Sequence, residues 1–211
     1  MKTTALIPAR LESKRFPNKL LKKINGTPII LKTYRAAVDT GHFENVYVVS
    51  GNDQILELIE AEGGKTFKSL KKHNSGTDRI AEAAIKINTD IIVNLQGDEP
   101  FISKKAIGCL IKSFDDKSVK MASLMTKFKS FEELNNPNNV KVIVDNNDNA
   151  LYFSRSPIPH ASKKLDDYNR HIGIYAFLKQ SLIEFSNLER LNLEITENLE
   201  GNRVVEHSKK I

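Results

Sequence analysis

Ala5-Leu6-Ile7-Pro8-Ala9-Arg10-Leu11-Glu12-Ser13-Lys14-Arg15-Phe16-Pro17-Asn18-Lys19 is the stretch whose reading decides the fold. Ala5, Leu6 and Ile7 form a short apolar run, the mark of a buried strand. Pro8 has no N–H to donate and is expected to end the ladder. Arg10, Lys14, Arg15 and Lys19 then follow within one loop that Pro17 stiffens. In an open α/β sheet, ligands sit in the crevice beyond the carboxyl ends of the strands. Fixed cations there suit a polyphosphate, with arginine acting as a planar fork and lysine as a point charge. A solvated basic turn has the same composition, and both readings stay open at this point. Neither G-x-x-x-x-G-K-[ST] nor G-x-G-x-x-G occurs in the chain, so a nucleotide site here would be of another kind.

Working outward from this loop, Thr27 is expected to cap a helix with Pro28 as its first residue. Ile29, Ile30, Thr33, Tyr34, Ala37 and Val38 recur at helical spacing until Gly41. Val46-Tyr47-Val48-Val49 reads as a second buried strand. Ser50-Gly51-Asn52-Asp53 turns into a helix carrying Ile55, Leu56 and Ile59, closed by Gly63-Gly64. Ile80, Ala83, Ala84 and Ile87 mark a third helical face, and Ile91 to Leu95 another strand. Alternation at this pace implies right-handed crossovers and a doubly wound, mostly parallel α/β sheet over residues 1 to about 115.

Two more loops fall where ligands are expected. His73-Asn74-Ser75-Gly76-Thr77-Asp78-Arg79 precedes a helix, whose exposed amides would suit an anion or a carbonyl edge. An ordinary Ser75 or Thr77 cap accounts for the same residues. Gln96-Gly97-Asp98-Glu99-Pro100 follows the strongest strand. Mg²⁺ takes one or two protein carboxylates and completes its octahedron with water and phosphate oxygens, and Asp98 is placed for that role. A plain Gly-Asp turn before proline is the alternative. A divalent ion beside a cationic loop in a sheet crevice points to nucleoside triphosphate chemistry.

The second half is β-rich. Strands are expected at 119–124, 140–144, 150–154 and 170–177, with Asp145 to Asn149 closing a hairpin. Lys141, Arg155, His160, Arg170 and His171 fall in this region of about 119–178. Glu194, Glu197 and Glu200 recur every third residue, as a solvated helix face or as a polar rim over a substrate. Arg203-Val204-Val205-Glu206 reads as the start of a strand.

Bulk properties bound the partners. The 211 residues are 40% hydrophobic and 27% charged, which suits one compact domain of residues 1–211. No apolar run approaches a membrane span, and the N-terminus lacks the features of a signal peptide. A lone Cys109, set among Ile107, Leu110 and Ile111, is expected to pack inertly, consistent with a cytoplasmic protein. The net charge is +6, but the basic residues are dispersed, aromatics are only 7% and Trp is absent, so neither a recognition helix nor a stacking platform is indicated. A polyanionic small substrate fits better than nucleic acid.

Several of these motifs together resemble the 3-deoxy-manno-octulosonate (Kdo) cytidylyltransferases of lipopolysaccharide synthesis. They are Ile7-Pro8-Ala9-Arg10 with Ser13, Arg15, Pro17 and Lys19; Ser75 to Arg79; Gln96 to Pro100; Asn136-Pro137-Asn138-Asn139-Val140-Lys141; Leu151 to Arg155 with Pro157 and Pro159; and Arg170 to Tyr175. The resemblance implies a nucleotide-diphospho-sugar transferase-like fold and conversion of CTP and Kdo to CMP-Kdo and diphosphate with Mg²⁺. It implies that Arg10 and Lys19 hold the triphosphate, with Arg15 nearby. Ser75, Arg79 and Gln96 would surround the nucleotide, and Asp98 would carry the metal. Arg155, His171, Tyr175, Glu194 and Glu197 would line the acid-sugar pocket. Residues 119–178 would serve as an acid-sugar-binding insert and as the contact of a homodimer. The family pattern of a Thr-Asp pair after the second strand becomes Ser50-Gly51 here, and Leu-Glu-Gln-Leu becomes Leu199-Glu200-Gly201-Asn202. Family members also continue through a Val-Asp-Thr-Pro segment whose Asp binds metal, whereas this sequence ends at Ile211. Alternatives are a related acid sugar, such as amino-Kdo or a nonulosonate, and a shortened homologue that is weakly active or binds without catalysis.

Overall fold

The computed structural model describes residues 1–11, 16–160 and 164–211. The first strand, β1 (Thr3–Ala9), is buried along its whole length. A tiny hairpin, β2 (Lys23–Ile24) and β3 (Thr27–Pro28), leads into α1 (Ile29–Asp39). The expected Thr27 cap is not made: Thr27 and Pro28 are committed to the β2–β3 pairing, and Pro28 precedes the helix without a side-chain cap. Next come β4 (Asn45–Ser50), α2 (Asp53–Glu60), β5 (Lys65–Lys68), α3 (Gly76–Lys86), β6 (Ile91–Asn94) and α4 (Lys104–Lys112). The remainder is β7 (Met121–Lys127), α5 (Phe131–Asn135), β8 (Lys141–Val144), β9 (Ala150–Ser154), β10 (Asn169–Leu178), α6 (Lys179–Ser186), α7 (Asn192–Glu197) and α8 (Gly201–Glu206).

Among the described residues the main sheet has eight strands in the order β5-β4-β1-β6-β10-β8-β9, with β7 also paired to β10. β5, β4, β1 and β6 are mutually parallel. β10 runs antiparallel to β6, β7 and β8, and β8 and β9 form the expected hairpin. The β-rich half thus extends the parallel half as one continuous sheet.

Alternation along β1 sets the layers. Ala5, Ile7 and Ala9 face a core shared with Ile30 and Ala37 of α1, Ile55 and Ile59 of α2, and Ile107 and Leu110 of α4. Leu6 faces the opposite core, with Ile80 and Ala84 of α3, Leu182 and Phe185 of α6, and Val204 of α8. Helices therefore cover both faces, as near-continuous apolar strands require. From β1 the chain steps outward to β4 and β5, then returns to β6 on the other side of β1. The switch point lies between β1 and β6, where ligands bind in such sheets.

Pro8 does not end β1. The strand runs to Ala9, with Pro8 opposite Val49 of β4. The pairing with β6 stops earlier, at Leu6↔Asn94, so the missing N–H is accommodated where the two strands part. That parting opens a crevice at the switch point.

Two other expectations are corrected, and one open reading is narrowed. Arg203 to Glu206 are helical, because α8 turns Arg203 inward to buried carboxylate partners. The glutamate stripe is not a solvated face: Glu194 is 1% exposed. Cys109 is exposed, because α4 buries Ile107 and Leu110 on the other side. Among the described residues no helix is long and apolar enough to cross a membrane.

Candidate active site

Three loops meet where β1 and β6 part. The first follows β1, the second leads into α3 and the third follows β6. Their approach depends on glycine at two points. A Cβ on Gly97 would lie 3.0 Å from the Pro8 carbonyl oxygen, and one on Gly76 would lie 3.0 Å from Pro8 Cγ. Thr33 of α1, itself buried, fixes the third loop by donating to the Gly97 carbonyl at 3.0 Å.

Together the loops enclose a cavity of ≈ 230 Å³. Arg10, Lys19, Ser75, Arg79, Gln96 and Asp98, all expected around a nucleotide, line it. His73 and the Pro8–Ala9 backbone line it as well. Arg15 lies outside the described residues. Lys19 Nζ donates to Asp98 Oδ2 at 2.5 Å, with both side chains 43% exposed. Arg79 reaches back from α3 to donate to the Ala9 carbonyl. Ser75 satisfies both of its readings: it caps α3 by accepting from the Asp78 amide at 3.1 Å, and it lines the cavity.

Burial and the adjacent Asp98 charge push the Glu99 carboxyl up, against the pull of Arg170 and Lys19. Among the described residues no three acidic, histidine or cysteine side chains cluster as a metal cage. Asp98 alone still fits a hard divalent ion. Its carboxylate already pairs with a cation through one oxygen, and such ions take few protein ligands when phosphate and water supply the rest.

The residues expected around the acid sugar lie elsewhere, and none lines this cavity. Arg155 leaves β9 with its Nε donating to the Glu197 carbonyl at 2.7 Å and its backbone N–H donating to Glu197 Oε2 at 2.8 Å. The Glu197 carboxylate also accepts from Ser154 Oγ and Tyr152 OH, so it clasps the end of β9. Lys141, fully buried, bridges the Asn136 and Arg155 carbonyls at 3.0 and 2.7 Å, and its burial lowers its pKa. His171 contacts Ser123 Oγ at 2.8 Å, with Phe153 and Tyr175 rings at 4.8 and 5.3 Å, and burial lowers it to about 4. Burial, reinforced by the Glu200 charge, raises the Tyr175 phenol and keeps it protonated.

Glu194 is turned away from any open surface. Its two oxygens accept from Arg203 at 2.7 Å each, and one also accepts from Arg190 at 3.0 Å. Glu200, by contrast, reaches the first turn of α3: Thr77 donates to its carboxylate, and burial raises its pKa. Gly201 and Asn202 have structural uses of their own. A Cβ at Gly201 would come within 2.7 Å of the Phe153 ring, and the Asn202 amide pairs with both the N–H and the C=O of Phe153 at 3.0 and 2.9 Å.

The sequence assigns no role to His73 or Glu82. His73 stood in a quoted loop without a role. Glu82 acts across the tertiary fold, and nothing in its local spacing marks it.

A doubly wound sheet with a cationic, carboxylate-bearing cavity at its switch point defines a chain of the nucleotidyltransferase type. A family model described as Cytidylyltransferase matches residues 4–211. The chain is 48% identical to a 3-deoxy-manno-octulosonate cytidylyltransferase of Flavobacterium johnsoniae, covering 100% of this chain and 88% of the relative. It is 47% identical to one of Christiangramia forsetii, covering 98% and 86%. A solved CMP:2-keto-3-deoxy-manno-octonic acid synthetase, complexed with CTP, superposes with a TM-score of 0.92 at 36% identity, covering 100% of this chain and 88% of that one. The chain belongs to the cytidylyltransferase family and, within it, to the 3-deoxy-manno-octulosonate cytidylyltransferases.

Proposed function

We propose that the chain transfers a cytidylyl group from CTP to Kdo, giving CMP-Kdo and diphosphate, in lipopolysaccharide synthesis. The observation that carries this reading is the convergence of Arg10, Lys19, Ser75, Arg79, Gln96 and Asp98 on one cavity, in a chain similar to a synthetase solved with CTP. The anomeric hydroxyl of the sugar forms a bond to the α-phosphorus as the bond to the diphosphate oxygen breaks, and the hydroxyl proton is lost. Charge crowding dominates such a barrier, so positioning and fixed cations do most of the work. Arg10 and Lys19 offset the triphosphate charge and hold the α-phosphorus in reach. Asp98 would hold Mg²⁺, which when bound supplies further neutralisation of the phosphate oxygens.

We assign residues 119–178, within a single domain of residues 1–211, to the acid sugar and to a second copy of the chain. Arg155, His171 and Tyr175 fall in this region, and Met125 and Leu151 are exposed apolar side chains on its strands. Glu194 and Glu197 support the acid-sugar region through Arg203 and Arg155 rather than by facing an open cleft. A related acid sugar is the second reading, favoured by the Phe153 ring packed where a side chain at Gly201 would begin. The test is diphosphate release in Mg²⁺ with CTP and Kdo, amino-Kdo or a nonulosonate in competition. Release that requires CTP and Kdo supports the first reading. Release with another acid alone supports the second, and none with any acid rejects both.

A further inference from the structure

We propose that His73, held in one tautomer by Glu82, selects cytosine over uracil by accepting a hydrogen bond from the exocyclic amine of the base. This deepens the reading of the cavity as the CTP site and rests on it. His73 lines the cavity, with its side chain only 11% exposed. Its Nε2 lies 2.8 Å from Glu82 Oε2, one and a half turns into α3. Glu82 also accepts from Ser69 Oγ at 2.6 Å and from the Leu70 amide at 3.1 Å, so it clasps the whole loop ahead of α3. Burial alone would raise the Glu82 carboxyl, but the hydrogen bonds from Ser69, His73 and Leu70 hold it at about 2.

An ionised carboxylate only accepts, so the nitrogen facing Glu82, Nε2, carries a proton. In the Nε2–H tautomer that this contact selects, Nδ1 is a lone-pair acceptor whose sense is set by Glu82 rather than chosen by the ligand. The other polar side chains of the cavity are differently committed. Arg10 and Arg79 are donors, Ser75 already accepts from the Asp78 amide, Gln96 carries both senses, and the Asp98 carboxylate is engaged by Lys19. Cytosine carries an amine at C4 where uracil carries a carbonyl. A fixed acceptor pairs with the first and opposes the second. Sites that read a single donor in this way discriminate by leaving a polar group unpaired against the wrong partner.

Calorimetric dissociation constants for CTP and UTP, measured in Mg²⁺ without acid sugar, test this in the full chain. Wild type should prefer CTP. His73→Leu should weaken CTP and leave UTP unchanged or tighter, lowering the preference by about tenfold to a hundredfold. His73→Gln, whose amide can donate to Glu82 and present its oxygen to the base, should retain most of it. Glu82→Gln releases the tautomer and should move the preference toward UTP, with circular dichroism confirming the fold of each variant. An unchanged ratio in His73→Leu, or equal weakening of both nucleotides, overturns the role of His73. Binding of neither nucleotide by wild type would instead reject the nucleotide reading of the cavity.

Discussion

Replacing Glu194 with alanine separates a supporting role from direct contact with the sugar. Arg203 is 1% exposed and donates twice to Glu194 at 2.7 Å, once to Asp78 at 3.1 Å, and lies 4.4 Å over the Phe185 ring. Glu194→Ala leaves that guanidinium buried with one weaker carboxylate partner. Breaking a buried pair from one side typically costs about 3–5 kcal/mol, because the remaining charge is stranded. At about 2–4 °C per kcal/mol for a domain of this size, the melting temperature should fall by about 6–20 °C. Glu194→Ala with Arg203→Met removes both charges and should recover much of the loss, since apolar replacements of buried pairs are often near neutral. Urea and thermal unfolding of the two singles and the double form the cycle. A Glu194→Ala protein of wild-type stability that has lost turnover would refute the argument and place Glu194 on the sugar.

Other perturbations test other parts of the site. Asp98→Asn should lower turnover by about two orders of magnitude or more while the melting temperature barely moves, since its partner Lys19 is partly exposed; an unchanged rate removes Asp98 from the metal role. His171, lowered to about 4 by burial, is neutral in the fold and charged when unfolded below about 6.5. Its contribution is therefore complete above pH 6.5 and lost as pH falls toward 4, by up to about 3 kcal/mol. His171→Gln should flatten the stability curve over that window, and an identical slope in the variant contradicts the assignment. Asn202→Leu leaves the Phe153 N–H and C=O without their partner and should cost about 2 kcal/mol or more in urea unfolding.

The parallel half and its loops were legible because each strand is a short apolar run and each following loop changes chemistry abruptly. Ile7-Pro8-Ala9-Arg10 and Leu95-Gln96-Gly97-Asp98 announce a strand end and a ligand loop within a few residues, and the structure joins both at one cavity. β5 was not legible: Lys65-Thr66-Phe67-Lys68 is an edge strand with one large apolar residue, and its pairing to β4 supplies what its sequence does not. Val204-Val205 suggested a strand by propensity, but the buried Arg203 pairs outweigh that preference. The glutamates of the last helices stayed open between a solvated face and a polar rim because their partners, Arg203, Thr77 and the β9 backbone, sit on other elements. The Glu82 clasp on the His73 loop is hidden for the same reason: a carboxylate inside a helix carries no local sign of the loop it holds.

A crystal of the chain grown with CTP and Mg²⁺ tests the central claim most directly, because the account commits to one location for the nucleotide. Triphosphate density should lie against Arg10 and Lys19 with the ion on Asp98, and the base should sit within the same cavity. Nucleotide bound at any other surface, with those three side chains still facing an empty crevice, would contradict it.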